Sequence, residues 1–462
     1  MTNEIKEYDV VIVGAGPGGL STAYSLSEII SPERIAVVER NMKDYVGKKA
    51  CGDAFLREWC SDGFLRPTGD EILTRWDKPI VIVGADDTNG ESTLSKGDVI
   101  NRFKYQQRLI ASLEVKGVTF YYGRSAKEPI IHNNSVIGLR MRNLKTRDRE
   151  IILSKVVVDC TGANHVIRRR LPPEFCKIKP LIPKSEMTES YREILNIKHD
   201  LGQKFYWKYI SDFPIGSYFW YLNHGKDQVN AGIYLRKGSN VAVKDAYDRI
   251  LHKYFVKPGM KYQVLDGRGA LIPSTIPLFN VVANGFVVIS DSAGLVNSTS
   301  GEGLGSAVWC GKEIAGVIAR ALRLNDVSEQ QLWEINLKLL PLMKKLLKSF
   351  LGKNMLETIG IPGLKVLIEK VSPILGAFFT NEKLSLSEQI KAIIKLRKTG
   401  MLSHLLKMKL RERKIEKIFK KYPQKSDQFE EWEKRINVFT LKGLERCEEE
   451  AKVPPIQIDI TV

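Results

Sequence analysis

The chain has 462 residues, 43% of them hydrophobic and 27% charged, with six cysteines. That length predicts two to three folding units; the composition excludes wholesale disorder, and six cysteines without a Cys-x-x-Cys pair exclude a disulfide scaffold or a zinc module. Lys and Arg number 71 against 53 Asp and Glu, a formal charge of +18 that points to an anionic partner: phosphate, nucleic acid or a lipid headgroup surface.

Met1 to Tyr8 is polar and the apolar run Val10–Val13 is far too short for a secretory core, so no leader is expected. No stretch approaches the roughly 18 apolar residues of a spanning helix, so the expected home is the cytosol, with membrane-surface contact open. Tyr8–Val13 reads as a buried parallel strand and runs directly into Gly14–Ala15–Gly16–Pro17–Gly18–Gly19. Leu20 to Ile30 has helical spacing. A second apolar run, Arg34–Val38, ends in Glu39, twenty residues after Gly19. This is a dinucleotide fingerprint in its strand–helix–strand context. Gly14 permits the tight turn, Gly16 lets a pyrophosphate approach the backbone, and Gly19 lets helix and strand pack closely. The helix N-terminus offers N–H groups to phosphate, and Glu39 can accept from a ribose hydroxyl. The motif alone leaves NAD and FAD open.

Two later segments bear on that choice. Val156–Ala163 and Gly285–Gly294 are each an apolar strand ending in a turn with an acid, Asp159 or Asp291, and small residues. After the second come Gly301–Glu302–Gly303 and a helix expected from about Leu304 to Ala321. The small polar residues Asn297 to Gly301 suggest a moving loop. Between the two segments, about Ile178 to Leu271, aromatic and alternating residues read as an antiparallel sheet. From Gln331 to Lys421 there are 20 Lys or Arg against 7 Asp or Glu, so this helical stretch carries a net +13. Breaks are expected at Gly360–Pro362–Gly363, Pro373 and Gly400. Its basic face is either an ordinary solvated one or a surface that rests on anionic lipid.

Together the three nucleotide-type segments resemble the p-hydroxybenzoate hydroxylase type of FAD protein, and within it the archaeal geranylgeranyl reductases, over about Asp9 to Ala321. Lys49–Ala50–Cys51–Gly52–Asp53 resembles that family's cysteine-glycine loop, Asp291–Asn297 with Gly301–Gly303 its flavin-binding stretch, and Tyr218–Phe219–Trp220 its Tyr-x-Trp pocket motif. Departures are Leu222–Asn223 for Phe-Pro, Pro214 one residue early, Ser290 for a usual Gly, Ser298 for a Pro and Ala54 for a second Gly. The resemblance implies an α/β fold. A discontinuous Rossmann-type FAD domain (1–177 and 272–325) would carry an antiparallel-sheet substrate domain (178–271) and a C-terminal basic helical domain (326–462). It implies an FAD contacted by Gly14, Ala15, Gly16, Gly19, Glu39, Cys51, Gly52, Ala54, Arg102, Ala126, Asp291, Gly303 and Leu304, with Tyr218 and Trp220 on the substrate. Arg102 read by itself is equally a surface arginine.

The implied reaction saturates C=C bonds of geranylgeranyl chains in membrane lipid precursors. An isolated alkene is a poor hydride acceptor, so a hydride from the flavin must be matched by a proton delivered to the other carbon with water excluded. Cys51 is the candidate donor, because an ordinary thiol is protonated at neutral pH. A lone cysteine or an aromatic cluster such as Phe205–Tyr206–Trp207 is more often packing than chemistry. The reductant would be NADPH, NADH or a ferredoxin, and the expected location is peripheral, at the inner face of the cell membrane. The six histidines show no ligand spacing and no metal is assigned; no nucleic-acid signature is present. Two other readings are a flavin monooxygenase of an apolar or aromatic substrate and a non-catalytic flavin protein at the membrane.

Overall fold

A computed structural model describes residues 6–440 except 61–62, 77–79, 84–88, 93–96, 176, 179–180, 203–204, 381–386 and 388–400. Its first layer is an eight-stranded sheet. Lys6–Val13 lies at the centre, parallel to Ile35–Val38 on one side and to Arg149–Asp159 on the other. Thr119–Tyr121 and Phe286–Val288 extend it in parallel. The apolar runs are continuous because both faces are covered: Val10 to Val13, Ile35 to Val38 and Val156 to Val158 are all buried. An antiparallel hairpin, Arg124–His132 and Ser135–Asn143, joins at Arg149–Asp159. The fingerprint helix is Pro17–Ser27, with proline in its first turn and no side-chain cap. The second helix is Leu304–Arg323. The two cross in close contact, since a Cβ on Gly311 would come 2.6 Å from the Gly18 carbonyl.

The second layer is a seven-stranded sheet in the order Gln263–Pro273, Met187–Asn196, Gln228–Leu235, Tyr218–Asn223, Phe205–Tyr209, Ile80–Val83, Asn89–Ser92. The sheet expected over 178–271 is therefore wider than that window. Its last two strands come from residues 80–92, the first of them pairing in parallel with Phe205–Tyr209. Only a long-range pairing puts them there, and no local pattern announces it. Alternation divides its faces. Tyr218, Trp220 and Leu222 pack in one apolar cluster, while Phe219 and Tyr221 pack in another against the helix Val243–Ile250.

The C-terminal region is helical: Glu329–Leu332, Glu334–Thr380, Met401–Phe419 and Phe429–Thr440. The 47-residue helix carries a left-handed residue at Gly360, φ +66°, and runs on through Pro373. The break expected at Gly400 lies outside the described residues. This region is knitted to the first layer, not appended to it. Trp333, Tyr422, Phe429 and Trp432 pack together, Trp333 Nε1 donates to the Pro423 carbonyl at 2.9 Å, and the Tyr422 hydroxyl donates to that of Phe279.

Candidate active site

The register of the parallel strands aligns their carboxyl ends: Val13 faces Val38 and Asp159, and Val288 faces Asp159. Ligands of open α/β sheets bind beyond such ends. A cavity of about 870 Å³ opens there, in the upper part of the usual range of roughly 300–1,000 Å³ for ligand pockets. Gly14 takes φ +106°, and a Cβ on it would lie 2.5 Å from the Cys160 carbonyl oxygen. Gly16 borders the cavity, and nothing lies within 4 Å of where its Cβ would be. Gly19 is not in the wall; its missing Cβ allows the Gly14 carbonyl to come within 2.0 Å of that position, so it serves helix–loop packing.

Glu39 is buried with both oxygens engaged. Oε2 accepts from the Ala15 N–H at 2.8 Å, and Oε1 accepts from the backbone and side-chain N–H groups of Asn41, each at 2.8 Å. The amide of Ala15 is thus already committed inside the protein. Its carbonyl is too, accepting from Gln106 Nε2 at 3.0 Å, while Gln106 Oε1 accepts from Arg102 Nε at 3.0 Å. Gln106, which sequence reasoning missed, ties Arg102 to the fingerprint loop across one turn of the helix Arg102–Lys116. The (i, i+4) spacing was the available signal. Ala126 sits on the neighbouring strand, whose Arg124 N–H donates to the Glu39 carbonyl at 3.0 Å.

The two acidic turns differ in kind. Asp159 is fully buried and saturated: it accepts from the Thr161 N–H at 2.9 Å, the Thr161 hydroxyl at 2.7 Å and the Arg168 N–H at 2.8 Å. Asp291 lines the cavity and pairs with Lys49 at 3.5 Å. Before it, Ser290 holds φ +62°, a backbone conformation that favours glycine, and its buried hydroxyl has no partner.

The stretch Asn297–Gly301 is tied down, contrary to the moving-loop expectation. Asn297 N–H donates to the Glu302 carbonyl at 2.8 Å, and Gly301 N–H donates to the Asn297 carbonyl at 2.7 Å. The Ser349 hydroxyl donates to Asn297 Oδ1 at 2.6 Å, Arg236 donates to the Ser298 carbonyl at 2.8 Å, and the Tyr218 hydroxyl donates to the Ser300 carbonyl. Glu302, quoted in the motif but given no role, faces the cavity. Burial pushes its carboxyl up to about 7, against the pull of Lys345.

The cysteine loop closes the cavity from the sheet side. Arg192 Nη2 donates to the Lys49 carbonyl at 2.9 Å, and Asn230 Nδ2 donates to that of Cys51 at 3.0 Å. Cys51 is half-buried on the cavity wall. Burial, and after it the charge of Asp53, push its thiol up, outweighing Arg102 and Lys49. The thiol therefore keeps its proton at neutral pH. Gly52, Ala54, Tyr218 and Trp220 line the same cavity, with Trp76, Phe205 and Trp207 beside them. The Tyr218 ring lies 4.0 Å from Trp207 and stacks on Tyr234 at 5.0 Å. Met355, Leu356, Leu364 and Ile368 of the long C-terminal helix pack into this aromatic cluster.

One cavity thus joins the fingerprint loop, the Asp291–Leu304 turn, the cysteine loop and an aromatic chamber. The open space over Gly16 and the partnerless Ser290 hydroxyl fit a bound FAD. Fold and site define an FAD-dependent oxidoreductase.

Comparison with known proteins narrows the class. The Thi4 family model matches residues 1–172. The chain is 30% identical over 452 residues to the digeranylgeranylglycerophospholipid reductase of Sulfolobus acidocaldarius, covering 95% of this chain and 98% of that one. To the enzyme of that name from Methanoculleus marisnigri it is 24% identical over 348 residues, covering 71% and 80%. A solved structure of a geranylgeranyl bacteriochlorophyll reductase-like protein from Thermoplasma acidophilum superposes with a TM-score of 0.70 at 20% identity, over 86% of this chain and all of that one. The chain belongs to the digeranylgeranylglycerophospholipid reductase family.

Proposed function

We propose that the chain saturates the C=C bonds of geranylgeranyl chains in membrane lipid precursors, with Cys51 as proton donor. The observation that carries this reading is the place of Cys51 on the wall that links the nucleotide loop to the aromatic chamber, where burial pushes its thiol up and so favours the protonated form. The glycine loop and Glu39 would hold the pyrophosphate and adenosine ribose of FAD, Ala126 would border the adenine, Arg102 would reach the cofactor, and Asp291, Gly303 and Leu304 would hold the flavin end. When bound and reduced, FAD would supply hydride chemistry at this site. Cys51 gives its proton to one alkene carbon. Protonation leads, and the aromatic wall containing Tyr218 and Trp220 borders the place where positive charge develops on the alkene before the hydride arrives. The apolar chamber and the long helix across it keep water from that charge.

NADPH, NADH or a ferredoxin reloads the flavin from outside, since the chain carries one dinucleotide fingerprint. Long prenyl chains reside in the bilayer, so the enzyme works as a peripheral protein at the inner face of the cell membrane. The helix Met401–Phe419 supports this reading: Leu406 and Leu410 are 50% and 55% exposed among Lys407, Lys409, Arg413 and Lys414. Among the described residues no helix is long and apolar enough to cross a membrane.

The test is anaerobic. The flavin-loaded protein is reduced with dithionite and given a geranylgeranyl phospholipid, and the lipid is weighed by mass spectrometry. The expected result is the mass gain of one H2 for each bond saturated. Flavin reduction with no mass gain, together with oxygen-dependent hydroxylation of an aromatic substrate, would transfer the assignment to a monooxygenase.

A further inference from the structure

Asn230 belongs to no motif and touches neither end of the nucleotide site, yet its side chain connects the two walls on which the proposed reaction depends. It lies on Gln228–Leu235, in the interior of the large sheet, with no exposed surface. Its Nδ2 donates to the Cys51 carbonyl at 3.0 Å and to Asp53 Oδ2 at 3.2 Å. Its Oδ1 accepts from Trp220 Nε1 at 2.8 Å. The chemistry at each contact leaves no choice of orientation. An indole N–H only donates and a peptide carbonyl only accepts, so one amide must turn its oxygen to Trp220 and its nitrogen to Cys51. Aspartate at this place has no proton for the carbonyl, and alanine reaches neither group.

The surroundings are built to the same end. Trp220 stands opposite Gly232 in the strand register, and a Cβ there would come 2.1 Å from the indole ring. A Cβ on Gly52 would meet Trp220 Nε1 at 3.7 Å. The indole is therefore seated between two glycines and pinned at its nitrogen. Asp53 is held at φ +54°, buried, with Arg192 at 3.9 Å and His224 at 3.7 Å from its Oδ2. Its charge acts on the Cys51 thiol.

The geometry points to Asn230 as a positioning residue. It locks the Cys51–Asp53 loop and the Trp220 wall into one fixed relation, so that the proton donor and the aromatic face meet the same alkene. This rests on the reductase reading for its purpose, whereas the coupling itself is a property of the folded chain.

Two readouts that need no substrate test it: alkylation of Cys51 by iodoacetamide, resolved by peptide mass spectrometry, and the indole N–H resonance of Trp220, assigned by its loss in Trp220→Phe. In Asn230→Ala, Cys51 alkylation at pH 8 is expected to rise at least fivefold and the Trp220 resonance to move or broaden. In the lipid assay kcat falls at least tenfold while KM stays within about threefold, because ground-state binding is not what the amide provides. Asn230→Asp keeps the shape and the acceptor for Trp220. It should leave the resonance in place while moving the pH midpoint of Cys51 alkylation upward, as a second carboxylate joins Asp53. This second variant decides the matter should the first fail to fold. Wild-type alkylation and a wild-type Trp220 resonance in a folded Asn230 variant would overturn the proposal. A wild type that saturates no lipid would instead sink the reductase reading and leave these two readouts to judge the coupling.

Discussion

Glu302 sits where burial and charge oppose each other. Its carboxyl is raised from the ordinary 4.5 to about 7 by burial, helped by Glu58 and Asp291 and resisted by Lys345. Between those values the folded chain holds a proton that the unfolded chain has lost. Stability therefore falls as pH rises through this window, by about 3 kcal/mol in all. Glu302→Gln should flatten that dependence, so denaturant midpoints at pH 5 and pH 8 should differ less in the variant than in the wild type. An equal difference in both proteins would show that the carboxyl is not held protonated. Cys51 is raised in the same direction and by the same principal cause, which suits it to donate. Cys51→Ala is expected to lower the saturation rate by about 10²–10⁴-fold, the usual worth of a general acid, with flavin content unchanged. The rate is read by lipid mass and the content by absorbance. Both residues stood in motifs visible in the sequence. Their protonation states did not, because the burial that sets them comes from elements far along the chain.

At the scale of elements, the turn Ser290–Ala293 and the strand pair carrying Trp220 are the places where backbone and packing are tightest. Ser290 occupies a left-handed conformation that costs an ordinary residue about 1–2 kcal/mol, and its hydroxyl is buried without a partner. In the cofactor-free protein Ser290→Gly should therefore raise stability by about 1 kcal/mol, measured by urea unfolding. A loss would mean that the hydroxyl has a partner in solution. Gly232→Ala acts in the opposite sense. Its methyl would strike the Trp220 ring, and overpacking of this kind costs about 1–3 kcal/mol, with the indole displaced from Asn230. The fingerprint strand, helix and turn could be read locally because each obeys a short-range rule. The recruitment of residues 80–92 into the large sheet could not, since the pairing partner lies more than a hundred residues away.

The molecule as a whole distributes its charge unevenly in space as well as in sequence. On the long helix, Lys338, Lys344, Lys345, Lys348 and Lys353 each lie within 4.0 Å of a carboxylate of Glu313, Glu416, Glu58, Glu416 and Glu357, in that order. At least five of the 20 Lys and Arg between Gln331 and Lys421 thus serve internal pairing. The docking face we propose is that of the Met401–Phe419 helix, where Leu406 and Leu410 are exposed among basic residues. Flotation with vesicles containing anionic lipid should carry the protein at low salt and release it as salt rises. Each juxtamembrane Lys or Arg contributes about 1 kcal/mol, so joint replacement of Lys407, Arg413 and Lys414 by Glu should weaken binding by well over tenfold. Equal flotation of that variant would remove this helix from the docking surface. The long helix Glu334–Thr380 also closes the aromatic chamber, through Met355, Leu356, Leu364 and Ile368.

The sequence by itself determined the nucleotide fold, the glycine loop with its acid and the aromatic strand, because turn chemistry, strand alternation and motif spacing are local properties of the chain; the cysteine loop was legible only through its resemblance to a family motif. Only the tertiary structure decided which acidic turn is structural and which faces the cavity, that Ala15 is already engaged by Glu39 and Gln106, and that Asn230 spans from Cys51 to Trp220. It also tied down the Asn297–Gly301 stretch. Those distinctions depend on burial and on hydrogen bonds between residues up to some 180 positions apart, and no local pattern encodes them.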